Sequence, residues 1–176
     1  MHNRFVIEAV MLAIYGHLLS PAKPVEYVIP SSTIHELDDI LRSGDPVMPE
    51  PEDDKYVKEA IGKLIAFFEQ PFYAKKISGS LLAPWRTSPP LPINEKVSIT
   101  VIYAVDSAQY GEAFDPVETE LILTCSKQRA PLLTDQIDLI GRMLEAEVPV
   151  MIVDIEDFEY VLEAGTEPYP ENDTLY

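Results

Sequence analysis

The segment "APLLTDQIDLIGRMLEAEVPVMIVDIEDF" (residues 130–158) constrains the fold most, because it predicts a strand, a helix and a second strand in direct succession. Its two apolar runs, around Leu132 and over residues 148–153, carry apolar residues at consecutive rather than alternating positions. A strand that is apolar on both sides is buried on both faces, which is typical of a parallel sheet covered by helices. The helical pattern between the two runs supplies the crossover that parallel neighbours require.

The same alternation of strands and helices runs through the rest of the chain. Strands are predicted at residues 4–8, 25–30 and 96–106, and helices at residues 9–19, 31–43, 53–70, 116–128 and 156–162. Four prolines between residues 83 and 92 rule out a helix there, so this stretch is predicted to be an extended loop. We therefore expect one α/β domain over residues 1–162, with three α/β/α layers and a mainly parallel sheet of about five strands. Residues 163–176 are acidic and proline-containing, and are expected to form a flexible tail.

The charge balance narrows the classes of partner. The chain has 13 basic and 30 acidic residues and a formal net charge of −17. Nucleic-acid binding depends largely on basic groups that displace counterions, so binding through a broad basic face is not expected. A nucleic acid would bind weakly or be delivered by a partner. No apolar run is long enough to span a membrane. The single cysteine, Cys125, predicts a reducing, cytoplasmic location.

Several acidic residues lie near the ends of predicted strands. We expect them at the carboxyl edge of the sheet, which is where open parallel sheets bind ligands. Glu8 ends the first strand, Glu36 lies one turn into the helix after the second, Glu118 lies one turn into the helix before the fourth, and Asp135 and Asp138 follow the fourth. Clustered carboxylates bind Mg²⁺ or Mn²⁺ through oxygen. One interpretation is therefore a metal site at this edge, with Glu8, Glu36, Glu118 and Asp135 as catalytic ligands and Asp138 as an alternative ligand.

Helix capping is the competing interpretation of these acids. Thr33 and Glu36 have the spacing of a capping box, and so do Asp115 and Glu118. Thr134 can cap the following helix, where Asp135 would favour the positive end of the helix dipole. Capping does not account for Glu8, and it predicts no convergence of the acids. The sequence leaves both interpretations open.

The order and spacing of these motifs resemble the PIN domain, the fold of many toxin endoribonucleases and of related structure-specific nucleases. The stretch "RFVIEAVMLAIYG" resembles the family's first strand and helix, and "VIPSSTIHEL" resembles its second strand and its Pro-Ser-X-X-X-Glu-Leu helix. The helix in "PVETELILTCSKQRAPLLT" carries the third acid, and "LLTDQIDL" resembles the Thr-X-Asp motif. The closing "EVPVMIVDIEDF" resembles the last strand and helix. The resemblance spans residues 5 to about 162.

The resemblance implies an Mg²⁺- or Mn²⁺-dependent endoribonuclease whose metal is held by Glu8, Glu36, Glu118 and Asp135 or Asp138. The sequence departs from the family pattern at several of these positions. Glu8 and Glu118 stand where the family has Asp, Ala9 replaces a hydroxyl residue, and Gln136 replaces the last Asp. Glutamate reaches about one methylene further than aspartate, and glutamine supplies no charge. The alternative is a PIN-like protein-interaction module without catalysis, which binds an unknown protein or forms a homodimer.

The chain also resembles a group of Gram-positive bacterial proteins of uncharacterised function, some of which are described as ADP-heptose synthases. Nucleotidyltransferases of that type need a His-X-Gly-His phosphate motif. His2, His17 and His35 do not form one, and the chain has no glycine-rich phosphate loop. This activity is accordingly the third alternative.

Several other side chains are candidates for packing or for contacts at a site. Cys125 lies on an apolar helix face, which favours a buried packing residue over a nucleophile. Trp85 in "APWRTSPPLP" either anchors a partner or folds back over the core. Tyr103 and Tyr110 are expected to flank the acidic edge.

Overall fold

The computed structural model describes residues 3–105 and 112–164. The strands are β1 (Asn3–Val6), β2 (Val25–Pro30), β3 (Leu91–Pro92), β4 (Val97–Ile102), β5 (Leu132–Thr134) and β6 (Ile152–Asp154). The helices are α1 (Ala9–Ile14), α2 (Ser31–Ser43), α3 (Pro51–Glu69), α4 (Pro71–Ser80), α5 (Pro116–Gln128), α6 (Ile137–Glu145) and α7 (Phe158–Ala164). Short 3₁₀ turns cover Gly16–Leu19 and Ile155–Asp157.

The strands form one mainly parallel sheet in the order β3-β4-β2-β1-β5-β6. Every neighbouring pair is parallel except β3 and β4, where Leu91 pairs with Ile99. The predicted parallel sheet is confirmed, with one strand more than expected. The extra strand lies at the end of the proline-rich stretch, where two residues of an otherwise extended loop pair with the sheet edge, a location that tolerates proline.

Helices cover both faces of the sheet, which confirms the three-layer α/β/α architecture. Phe5, Ile7, Tyr27 and Ile29 point to one face, where they form a buried core with α1, α2, α3 and α7. The intervening Val6 and Val28 point to the other face and pack in a second core with α5 and α6. Because successive strand residues alternate between faces, a strand between two cores has a continuously apolar sequence.

The largest departure from the predicted elements is α4, which was not expected. Gln70 interrupts the helical backbone after α3, and Pro71 begins a new helix at its first position, where proline is favourable. No residue of α4 is fully buried, although Tyr73 and Ile77 pack against the first core. A helix that buries so little has only a weak apolar pattern in the sequence.

Several strand and helix ends also differ from prediction. β1 ends at Val6 and β4 at Ile102, both earlier than expected, and the predicted end of β4 at residue 106 lies outside the described ranges. The predicted strand at 148–153 begins only at Ile152, although the preceding Met151 carbonyl already accepts the Leu132 N–H at 2.9 Å. The start of the predicted strand continues the end of α6 instead, because the Val148 N–H donates to the Met143 carbonyl of that helix.

The strand order determines where loops converge. The chain passes from β1 to β2 to β4 in one direction, and then crosses back to β5 and β6 on the other side of β1. The order therefore reverses between β1 and β5, and the loops that follow these two strands separate at their carboxyl ends. Such a switch point is where open α/β sheets bind ligands.

Thr33 joins the first two helices and does not act as a helix cap. It is buried within α2, whose N-cap position is Pro30, so the predicted Thr33–Glu36 capping box is wrong. The Thr33 hydroxyl donates to the Pro30 carbonyl at 2.9 Å and accepts the Ala9 N–H at 3.2 Å. Ala9 is the first residue of α1, so its N–H has no partner within its own helix.

None of the helices in residues 3–105 and 112–164 has the length and apolar character needed to cross a membrane.

Replacement of Thr33 by Val should destabilise the fold by about 1–3 kcal/mol, because it leaves the buried Ala9 N–H without an acceptor. The matched control is Thr124→Val. Thr124 is equally buried, but its hydroxyl donates only to the Glu120 carbonyl within α5, which the helix ladder already satisfies. Urea unfolding of both variants measures the difference. Equal decreases in the free energy of unfolding of the two variants would show that the hydrogen bond from Ala9 to Thr33 adds no stability.

Candidate functional site

Glu8 lies at the switch point, between the end of β1 and the start of α1. It occupies the N-cap position of α1, but its side chain makes no capping hydrogen bond. Its Oε1 atom instead accepts a hydrogen bond of 2.7 Å from the Gln136 side-chain amide, at the end of β5. Glu8 and Gln136 thus join the loops on either side of the strand-order reversal.

The surroundings of Glu8 are strongly acidic. Burial, with repulsion from Glu36, Asp115 and Asp135, raises the pKa of Glu8 to about 7, against an opposing effect of the Gln136 hydrogen bond. Like charges raise the pKa of a carboxyl group only when they lie near it, and burial weakens the screening by solvent. The fold has therefore brought acids from four separate segments to one edge of the sheet.

Glu36 belongs to the same acidic group. Its pKa is raised, first by burial and then by repulsion from Asp115, Glu120 and Asp39. Asp115 thus contributes to the fields at both Glu8 and Glu36, although the sequence identified it only as a helix cap. The missed signal is its position, because the N-terminus of α5 lies at the carboxyl edge of the sheet, where a cap is also a neighbour of the site.

The carboxylate of Glu118 is held by hydrogen-bond donors of α5 and α6. It completes a capping box with Asp115, in which the Glu118 N–H donates to Asp115 at 2.8 Å and the Asp115 N–H donates to Glu118 at 3.0 Å. Its two carboxylate oxygens also accept from the two Nη atoms of Arg142 in α6, one of them at 2.8 Å. These hydrogen bonds, with Arg142 first, lower the pKa of Glu118 despite its burial. The capping interpretation is confirmed for Asp115 and Glu118.

Arg142 also accounts for Asp138. The Asp138 carboxylate accepts from Arg142 Nε at 3.1 Å and is otherwise almost fully exposed. The guanidinium further donates to the Ala113 carbonyl at 2.9 Å. Arg142 therefore connects α6 to the start of α5 and neutralises the two acids nearest to it.

Asp135 has a different partner. Its carboxylate accepts a short hydrogen bond from the Tyr15 hydroxyl, which raises the pKa of Tyr15 to about 12. The predicted capping role of Thr134 is wrong, because α6 begins at Ile137 with Gln136 in the N-cap position. The Thr134 hydroxyl accepts the Gln136 N–H at 3.2 Å, just before the helix begins.

The described carboxylates, as they are arranged, do not fit one metal ion held by several of them. No three His, Cys, Asp or Glu side chains within residues 3–105 and 112–164 are placed so that they could hold one ion. Four of the five predicted ligands instead accept hydrogen bonds from donors of the protein. Glu8 is bonded to Gln136, Asp135 to Tyr15, and Glu118 and Asp138 to Arg142, while Glu36 lies against its acidic neighbours.

The other candidate side chains lie apart from this edge or at its margin. Cys125 is fully buried in the second core and its pKa is raised by burial, which confirms a packing role. Trp85 packs against the same core with Lys127 Nζ 5.0 Å from its ring centre, as expected if it folds back. His35 is exposed, and Tyr103 is 37% exposed. Tyr110 and the predicted tail beyond Ala164 lie outside the described residues.

Comparison of the sequence with models of known protein families, and with curated proteins, finds no match.

Replacement of Glu8 by Gln should stabilise the protein at alkaline pH and leave it unchanged at pH 4. A native pKa of about 7, above the unfolded value of 4.5, means that the folded state loses stability as pH rises from 4.5 through 7. The introduced glutamine carries no charge and still accepts from Gln136. We expect its melting temperature to exceed that of the native chain by a few degrees at pH 8, with the difference vanishing near pH 4.

The control for this prediction is Glu59→Gln, which removes the charge of an exposed glutamate on α3. Its melting temperature should follow that of the native chain across the same pH range. A stability difference for Glu8→Gln that does not change with pH would contradict the proposed cause of the raised pKa.

Proposed function

We propose that this chain is a cytoplasmic PIN-like domain that no longer cleaves RNA and acts by binding a protein partner. The observation that carries the proposal is the two-pronged ion pair between Arg142 and Glu118. In the PIN resemblance Glu118 is the third acid of the metal site. Here its carboxylate is used by a guanidinium and by the cap of α5, so it is not free to bind a cation.

The replacement at position 136 supports the same conclusion. Where the resemblance expects an aspartate, Gln136 donates its amide hydrogen to Glu8. An amide donor partly offsets the negative charge of Glu8, which is the electrostatic task of a metal ion in such a site. Arg142 and Gln136 together replace the stabilising charge of a cation with groups of the protein itself.

The distribution of charge favours a protein partner over a nucleic acid. A net charge of −17 opposes the approach of a polyanion, and 13 basic residues in the whole chain provide no basic face. The cysteine is buried and makes no disulfide, which is consistent with the proposed cytoplasmic location.

A weak Mg²⁺- or Mn²⁺-dependent endoribonuclease is the second candidate. The field shared by Glu8, Glu36, Asp115 and Asp135 favours it, because these acids lie at the ligand-binding edge of the sheet and repel one another. Mutually repelling carboxylates gain from a divalent cation if they are able to rearrange around one. Asp115 would then take the place of Glu118.

A cleavage assay distinguishes the two candidates. A fluorophore-labelled single-stranded RNA, incubated with the protein and millimolar Mg²⁺ or Mn²⁺, should remain intact to the same extent with the native chain and with Glu36→Gln. The two proteins are purified identically, so that contaminating nuclease is common to both. Metal-dependent cleavage by the native chain that Glu36→Gln abolishes would overturn the proposal and establish the second candidate.

A gain of metal binding should follow when the two substitutes are removed together. The double variant Gln136→Asp/Arg142→Gln restores an acid at position 136 and frees Glu118. We expect millimolar Mn²⁺ to raise its melting temperature by about 5 °C or more, since a cation at 100 times its dissociation constant adds about 2.7 kcal/mol. The native chain should shift by less than about 1 °C.

Each protein is compared with its own metal-free melt in EDTA, because Arg142→Gln also removes an ion pair. A native chain that shifts as much as the double variant would contradict the proposed roles of Arg142 and Gln136.

A further inference from the structure

Helix α6 carries an apolar surface that the fold leaves uncovered. Ile137 is 79% exposed and Leu144 is 67% exposed, and Ile140 between them is only partly covered. These three residues and Gly141 form what we call the α6 stripe. The stripe is distinct from the face of α6 that packs on the sheet, where Leu139 and Met143 are buried.

Helical geometry places the stripe on one continuous side. At 3.6 residues per turn, Ile137, Ile140 and Leu144 fall within an arc of about 60°. A surface helix generally needs an apolar face only slightly wider than about 100° to cover a core. Together with Leu139 and Met143, the stripe extends the apolar face of α6 well beyond that requirement, so packing among residues 3–105 and 112–164 does not explain it.

The stripe lies at the open end of the sheet. Arg142, on the opposite side of α6, contacts Glu118 in α5 and Ala113 just before it, so that side of the helix faces α5. The stripe consequently faces away from α5, toward β6, which is the last strand in the sheet order of the described chain. Gly141 adds to the openness, since a Cβ atom there would meet no atom within 4 Å.

The charges around the stripe indicate what covers it. Asp138 and Glu145 border it on α6, and Glu147 follows the helix. Arg142 is the single basic residue in the sequence from position 130 to 176, and it is paired with Glu118 and Asp138. An apolar stripe bordered by an excess of acids is complementary to an amphipathic helix with a basic border.

We propose that the α6 stripe is the docking surface for a basic amphipathic helix of a partner protein. The inference rests on the proposed protein-binding function and names the chemistry of the partner. A second copy of this chain fits less well, because each copy carries a net charge of −17 and would bring the same acids against the stripe. The partner's apolar residues would contact Ile137, Ile140 and Leu144, and its lysines or arginines would face the bordering acids.

The test uses a synthetic 18-residue helical peptide of leucine and lysine, with leucines along one face and a fluorophore at one end. Binding to the full chain is followed by fluorescence anisotropy near physiological salt. The variants are the double substitution Ile137→Ser/Leu144→Ser and the control Leu82→Ser, none of which changes the net charge. Leu82 is 73% exposed. It lies three residues before Trp85, whose N–H donates to the Tyr103 carbonyl just after β4, and β4 is four strands away from β6 in the sheet order.

We expect Ile137→Ser/Leu144→Ser to weaken binding of the peptide at least tenfold, and Leu82→Ser to change it less than twofold. A peptide with glutamate in place of lysine should not bind. Absence of binding to the native chain, or equal binding to all three proteins, would overturn the proposal. So would a native dimer in sedimentation experiments that Ile137→Ser/Leu144→Ser converts to monomer, since the stripe would then be covered by a second copy.

The outcomes separate this inference from the proposed function. Peptide binding that is unchanged by Ile137→Ser/Leu144→Ser would contradict only the proposed docking surface. It would not bear on the proposal that the chain does not cleave RNA. RNA cleavage that is abolished by Glu36→Gln would contradict the proposed function, whether or not the peptide binds.

Discussion

The ion pair between Arg142 and Glu118 is the interaction on which the carboxyl edge of the sheet depends. It joins α6 to the first turn of α5, the helices that follow and precede β5 in the chain. The same guanidinium binds Asp138 and the Ala113 carbonyl, and the same carboxylate completes the cap of α5. Because both partners have several roles, the loss of either one would disturb the position of Asp115, and through it the field at Glu8 and Glu36.

Three hydrogen-bond donors of the protein partly compensate the negative charge of the acidic edge. Gln136 donates to Glu8, Tyr15 donates to Asp135, and Arg142 donates to Glu118. Gln136 and Tyr15 each bind one acid and Arg142 binds both Glu118 and Asp138, while Glu36 and Asp115 keep their mutual repulsion. The raised pKa of Glu8 shows that the compensation is incomplete, since burial and like charge still outweigh its hydrogen bond.

Local patterns in the sequence predicted the elements, and tertiary contacts decided the site. The bounds of β2, α2 and α5 follow from propensity and from signals such as Asp115-Pro116, which act within one turn. The capping box expected at Thr33 failed because α2 begins at Ser31, so the hydroxyl falls inside the helix and reaches α1 instead. The ion pair between Glu118 and Arg142 joins two helices, and it forms only because the strand order places them side by side. The spacing of residues in the sequence therefore does not predict it.

We propose that donors of the protein take the place of a metal ion at this edge, and nuclear magnetic resonance with Mn²⁺ tests this most directly. Paramagnetic Mn²⁺ broadens signals of nuclei close to where it binds, and a protein of 19.8 kDa gives resolved backbone amides. Titration at physiological salt should broaden exposed acidic surfaces weakly and without saturation, with the amides of Glu8, Glu36 and Gln136 no more affected than the others. Selective, saturating loss of those three signals at low Mn²⁺ would show that the edge still binds a metal ion and would contradict the account.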